Sequence, residues 1–295
     1  MESKMKKILF LMISLFVSSN AFAYFDGGVV ATMGEAGYSG GKVFLIVGSD
    51  NMWLKPALDY YKSDTSDGTY KTYSLRAGHD KDLYSVAGSL GSTPEVNGYK
   101  NTYIESDITF TLTSNGSRKG RLAGPQSSHG ASGGKGLTRI DIGGAAKHIM
   151  HKYNASGVTY SAARSINQTD LSAFAGLKVL MTRLSINYTA SSYDKTLNST
   201  DRQPQAVNVM GLNSIIQGLP ETSVNMRLDW SNMPFVAPYI SYTKTKFKLT
   251  AADSKAYCVG ANIDLTMLDV NVAYQIYDNG TDKDNFLTLA AGLKF

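Results

Sequence analysis

A single cysteine, Cys258, excludes an intramolecular disulfide, so the fold must be held by other means. Only seven prolines stand against 28 glycines, which leaves long stretches of backbone free to donate to hydrogen-bonded ladders. Beyond residue 23 no apolar run approaches the ~18–20 residues that a transmembrane helix needs. Charge is scarce as well. The formal net charge is +5, with no clustered basic stripe of the kind that binds polyanions, so nucleic acid is not an expected partner. No cofactor-binding motif stands out, and no cofactor is expected.

What is present begins with a targeting pattern. Lys4, Lys6 and Lys7 form a positive start, Ile8–Val17 is a short apolar core, and Ala21-Phe22-Ala23 is a small-x-small cleavage site. Residues 1–23 read as a secretory signal peptide, with a mature domain over 24–295 that starts near Tyr24. Removing three lysines and one glutamate with that segment lowers the formal charge from +5 to +3. No cysteine at the cleavage point is available to carry lipid.

The mature chain alternates. Leu287, Leu289, Ala291, Leu293 and Phe295 share one face of the last segment, opposite Phe286, Thr288, Ala290, Gly292 and Lys294, a face that is small or polar apart from Phe286. Within 267–277, Leu268, Val270, Val272, Tyr274 and Ile276 oppose Asp269, Asn271, Ala273 and Gln275. The same period of two runs through 257–265, 223–230 and 180–188, and more weakly through 52–61, 84–90 and 104–112. A soluble sandwich would alternate too. Two features favour a membrane barrel. The segments reach the ~9–11 residues that a tilted strand needs to cross a bilayer. Their polar faces carry small residues, amides and charges of both signs, as a wet lumen would. A bilayer leaves no backbone group without a partner, so such strands must close on themselves. The 18 tyrosines suit strands and membrane interfaces. The expected fold is all-β: a closed antiparallel up-and-down transmembrane β-barrel of about 12 strands, range 10 to 16. Residues 62–69, 91–100, 114–136 and 191–203 read as longer loops, and parts of 137–165 and 204–218 as loop or non-barrel structure. The Gly/Ser-rich stretch 114–136 cannot bury a core, and is either mobile outside the cell or folded into the lumen.

The signal peptide, the tyrosine-rich alternating strands and the ending Leu289…Leu293-Lys294-Phe295 resemble the single-chain outer-membrane β-barrel proteins of Gram-negative bacteria. The resemblance implies residence in the outer membrane and a C-terminus on the periplasmic side. It also implies periplasmic chaperones and the barrel assembly machinery as partners. Leu287, Leu289, Ala291, Leu293 and Phe295 would be the signal that this machinery reads. Outer-membrane lipid and lipopolysaccharide follow as surroundings. The resemblance does not imply a substrate.

The polar faces supply the candidate functional residues. Glu105, Asp107, Arg183, Arg227, Asp229, Asp264 and Asp269 would point into the lumen, either sorting solutes by charge or filling the lumen with salt bridges. Trp230, Tyr188, Tyr274, Tyr239 and Phe295 read as girdle aromatics. Lys244, Lys246 and Lys248 share the face of Val236, Pro238 and Ile240; they either form a solvated strand extension or meet lipopolysaccharide phosphates. His148 and His151 could share a metal on a helix but would point to opposite sides of a strand. No arrangement fixes a nucleophile beside a base, so no enzymatic activity is expected. The favoured role is a passive porin-like channel for small solutes. A non-conducting surface-binding barrel is the alternative, and a barrel-embedded hydrolase a remote one.

Overall fold

The computed structural model describes residues 24–35, 37–49, 51–64, 68–112, 121–125, 138–154, 163–198, 201, 219–230, 236–249, 252–265 and 267–294. The expected signal peptide, Phe295, the stretch 204–218 and most of 114–136 lie outside these residues.

Fourteen strands follow one another: β1 (Tyr24–Gly34), β2 (Ser39–Gly48), β3 (Met52–Lys62), β4 (Tyr70–Asp80), β5 (Tyr84–Val96), β6 (Tyr99–Thr111), β7 (Thr138–Tyr153), β8 (Arg164–Val179), β9 (Thr182–Tyr193), β10 (Pro220–Trp230), β11 (Val236–Phe247), β12 (Ser254–Leu265), β13 (Leu268–Asp278) and β14 (Lys283–Lys294). Each pairs antiparallel with its neighbours in sequence, and β1 closes on β14 from Asp26–Lys294 to Gly34–Phe286. Closure leaves no unpaired edge, which is the condition for a sheet in lipid. The count exceeds the central expectation of 12, though not its range. The surplus lies largely in 138–153 and 164–179, two continuous strands of 16 residues each.

Two local expectations are overturned. Residues 91–100 are not a long loop: β5 runs to Val96, β6 starts at Tyr99, and Asn97-Gly98 turns between them. Both turn residues have positive φ, 48° and 80°, the geometry of a type I′ hairpin turn that Asn-Gly favours. Leu180 is not a strand residue. It opens the two-residue turn between β8 and β9 with φ 54°.

The outer face is apolar and exposed. Val29, Val43, Leu90, Ile104, Leu171, Leu184, Ile240, Val259 and Leu289 form part of that band. A band this large on a monomeric surface needs an apolar solvent, and lipid supplies it. The inner face holds the buried polar residues, among them Thr32, Asp107, Asp141, Arg227, Asn225 and Thr288. His148 takes the outer face, bonded to Thr169, whereas His151 takes the inner face, bonded to Tyr99 and Gln168, so the pair shares no site.

The glycines have a packing role. On the inner wall Trp53 lies opposite Gly78, Tyr103 opposite Gly91, Phe174 opposite Gly143 and Tyr239 opposite Gly260 across neighbouring strands. Each ring occupies the space where its glycine's Cβ would stand. The rings therefore lie flat along the wall instead of reaching across the barrel. A Cβ on Gly143 would sit 2.2 Å from the Ile108 carbonyl oxygen as well as 2.5 Å from the Phe174 ring. Backbone cannot swing away as a side chain can. Gly143→Val is expected to destabilise the barrel by roughly 1–3 kcal/mol, the usual cost of overpacking, read as a lower urea midpoint for the refolded protein.

Candidate functional site: a lumen narrowed by an inward segment

With an even strand number, both chain ends lie at one end of the barrel. The connections at that end are short: 49–51, 81–83, 180–181, 231–235 and 266–267. The exception is 112–137, which joins β6 to β7. Part of it folds inward. Arg121, Leu122 and Ala123 are buried to 2%, 1% and 0% exposure, which makes them interior rather than surface residues.

Five strands hold this segment. Arg121 donates from Nε to the Ser85 hydroxyl (3.0 Å), from Nη1 to the Thr111 hydroxyl (2.7 Å), and from Nη2 to the carbonyls of Lys81 (2.6 Å) and Tyr84 (2.8 Å). The Leu122 amide donates to Asp141 (2.8 Å). Arg183 of β9 donates to the Leu122 carbonyl from Nε (3.0 Å) and Nη2 (2.6 Å), and to the Arg121 carbonyl (3.2 Å). On β8, Gly176 leaves room for Leu122: a Cβ there would be 2.4 Å from that residue's own Cβ. Burial pulls the Arg121 guanidinium below its ordinary pKa, and the like charge of Arg139 adds to this. Asp141 and Asp80 oppose the shift. An arginine nevertheless stays charged, so the segment carries a fixed cation that needs these acids.

Asp141 is the hub. Fully buried, it accepts from Arg139 Nε (2.9 Å) and Nη2 (2.8 Å), from the Thr111 hydroxyl (2.8 Å) and from the Leu122 amide. Neither Asp141 nor Arg121 figured among the sequence candidates. Nothing in a single sequence says that a Gly/Ser-rich connection turns inward at one arginine.

The sequence candidates separate into three groups. Arg183 is an anchor of the inward segment, 5% exposed. Arg227 and Asp229 form a buried pair on β10, with Nε and Nη2 at 2.9 Å and 2.7 Å from Oδ1. The Arg227 guanidinium also stacks 3.6 Å from the centre of the Tyr239 ring. That places Tyr239 on the inner wall, which corrects its reading as a girdle residue. Asn271 Nδ2 donates to the Tyr239 hydroxyl (3.2 Å) and to Asn262 (2.6 Å), so the network runs across four strands. Glu105 and Asp107 face Arg76 on β4, which pairs with Asp107 and lies 3.8 Å from Glu105. Asp264 and Asp269 stand directly opposite each other on β12 and β13 near the terminal end; Asp264 is exposed and Asp269 half-buried.

The inward segment thus covers the wall from β5 to β9. Beneath it or beside it the cations are out of solvent: Arg139 is 4% exposed, Lys178 1%, Arg183 5% and Arg227 2%. On the opposite wall Asp26, Asp264 and Asp269 keep contact with solvent.

No family model and no curated relative matches the chain. Solved structures do. CdiB from Acinetobacter baumannii superposes with a TM-score of 0.51 at 9% identity, over 92% of this chain and 60% of that one. The chain thus spans about three-fifths of the CdiB chain. Omp33 from Acinetobacter baumannii gives 0.45 at 7% identity, covering 94% of this chain and 100% of that one. A loop-deletion form of OmpT, an outer-membrane protein of Vibrio cholerae, gives 0.47 at 11% over 94% and 100%. The closed antiparallel architecture, the apolar outer band and the CdiB likeness define a transmembrane barrel of the outer-membrane class.

Proposed function

We propose that the protein is a passive channel for small solutes, narrowed at the terminal end by residues Arg121–Pro125. The observation that carries this reading is the inward segment itself, held against one wall by Arg121, Arg183 and Asp141. Barrel width supports it. About 8 strands enclose an interior that wall side chains fill, and about 16–18 leave an aqueous channel. Fourteen strands stand nearer the second case, and the rings that lie flat over glycines leave the axis clear of their bulk.

Charge gives the reading a direction. The solvent-accessible carboxylates Asp26, Asp264 and Asp269 face the passage, while Arg139, Lys178, Arg183 and Arg227 are buried and the half-buried Lys147 lies over the Tyr103 ring. A permeating ion then meets negative charge, despite the chain's positive total. The reversal potential across a planar bilayer under a KCl gradient is expected to report a preference for K⁺ over Cl⁻. Asp264→Asn with Asp269→Asn should move that potential toward zero. An anion preference in the unaltered protein would reject this assignment of the lining. The rival reading, a non-conducting barrel, draws on the burial of Arg227 and Tyr239. Swelling of liposomes in neutral sugars of increasing size separates the two: a channel admits the small ones and excludes the large, and a closed barrel admits none.

A further inference from the structure

The outer face of β11 and β12 carries a ladder whose chemistry changes with height. At its base Ile240 pairs with Val259. One step up, Tyr242 pairs with Tyr257, ring centres 5.1 Å apart. One step further, Lys244 pairs with Lys255, and Lys246 lies beyond. All three levels face outward, away from the lumen and its channel. A groove of about 400 Å³ runs at the lower levels, lined by Met226, Ile240, Tyr242, Tyr257, Val259 and Tyr274. That volume lies within the roughly 300–1,000 Å³ usual for ligand sites.

The lysine pair is compensated only in part. Like charges directly opposite on neighbouring strands destabilise a sheet, and here Lys246 adds a third cation two residues on. Lys246 and Lys255 are exposed. Asp253 lies 2.9 Å from Lys244 and is held below its ordinary pKa chiefly by the hydrogen bond from Lys244, with the charges of Lys244, Lys246 and Lys255 adding to this, and Asp278 stands opposite Lys255 on β13, so three lysines share two carboxylates. A phosphate beside Lys244, Lys246 and Lys255 would offset the cation that the two carboxylates leave uncompensated. Lysines are tolerated on a lipid-facing strand only near the interface, which sets their height at the headgroups. The tyrosines below suit that boundary, where a ring can sit in the apolar zone while its hydroxyl stays wet.

We infer that this face binds one phosphorylated glycolipid of the outer leaflet, of the lipopolysaccharide-anchor type. Its phosphate sits on Lys244, Lys246 and Lys255, its sugar and ester groups lie against the tyrosines, and an acyl chain fills the groove. The inference requires the end away from the termini to face the outer leaflet, as the periplasmic placement of the termini dictates. It does not depend on whether the lumen conducts.

The test uses the full mature chain refolded in zwitterionic detergent, with lipid A as the probe and native mass spectrometry or fluorescence titration as the readout. Heat-dependent gel mobility controls for folding. Lys244→Gln with Lys255→Gln should weaken binding by about tenfold or more, from the loss of two headgroup cations. Dephosphorylated lipid A should show a similar loss. Met226→Trp should weaken binding by filling the groove. Asp253→Asn, which removes the competing carboxylate, should tighten it. Unchanged affinity in the double-lysine variant would overturn the site. Equal binding of phosphatidylglycerol would overturn the assignment to a phosphorylated glycolipid.

Discussion

Arg121→Ala is expected to release the inward segment and to raise the time that the proposed channel spends in a wide substate. The side chain makes four hydrogen bonds to three places on the wall: Ser85, Thr111 and the β4–β5 turn. Hydrogen bonds to a charged group contribute about 1.5–3 kcal/mol each, so losing even two costs the seated state about 3 kcal/mol or more. That corresponds to roughly a hundredfold change in the ratio of displaced to seated segment. The freed partners are hydroxyls and carbonyls beside a wet lumen, where water can replace the arginine. The barrel itself should therefore keep its stability, with an unchanged urea midpoint. Arg183→Ala should act in the same direction through the Leu122 carbonyl. The two changes together should add less than their sum, because they hold one segment. Single-channel records would show the effect as longer and more frequent high-conductance events.

Arg227→Ala should have the largest effect on stability. It leaves Asp229, only 4% exposed, without the partner that donates to it twice, and strips the cation from the Tyr239 face. Breaking a buried pair from one side costs about 3–5 kcal/mol, because the surviving charge is stranded. The double change Arg227→Leu with Asp229→Leu should recover part of that loss: neither member of the pair is stranded, but Arg183, opposite position 229 on β9, loses its facing carboxylate. Urea unfolding of the three refolded variants measures both numbers. If the single change costs no more than the double one, the pair is not acting as a buried ion pair, and Asp229 is supported by water or by Arg183 opposite it on β9.

The barrel was legible in the sequence because its governing signal is local. Period-two alternation over ten residues tells inner face from outer face without any knowledge of which strands pair, and the pattern at 267–277 maps onto β13 to within a residue. The Asn97-Gly98 turn was equally local; its signature stood in the sequence, and reading 91–100 as a loop passed over it. The failures of another kind share one cause. The inward face of Tyr239 is not among them: Val236, Pro238 and Ile240 alternate with it, and the period of two that puts them outside puts Tyr239 inside, which the girdle reading passed over. That Gly260 must be a glycine is visible only once register sets it opposite Tyr239. Arg183 and Arg227 have the residue type of a selectivity filter, yet one anchors a segment from 61 residues earlier in the chain and the other pairs with Asp229 two residues on. Contacts across many residues leave no periodicity to read.

In outer-membrane-type barrels the connections at the periplasmic end are usually the short ones. The 112–137 connection departs from this, because it belongs to the end that otherwise carries short turns. A connection that folds into the lumen is not limited by the space between adjacent strands. Its length is therefore a sign of an inward path, one that composition alone left open between the exterior and the lumen.

The central claim is that Arg121–Pro125 narrows an otherwise continuous passage, and single-channel conductance of the refolded protein beside its Arg121→Ala variant tests it most directly. Both must first be shown folded by heat-dependent gel mobility. The account predicts discrete steps from the unaltered protein and a marked gain in large steps from the variant. Two folded barrels that give no steps at all would contradict the channel, and identical steps from both would contradict the role of the segment.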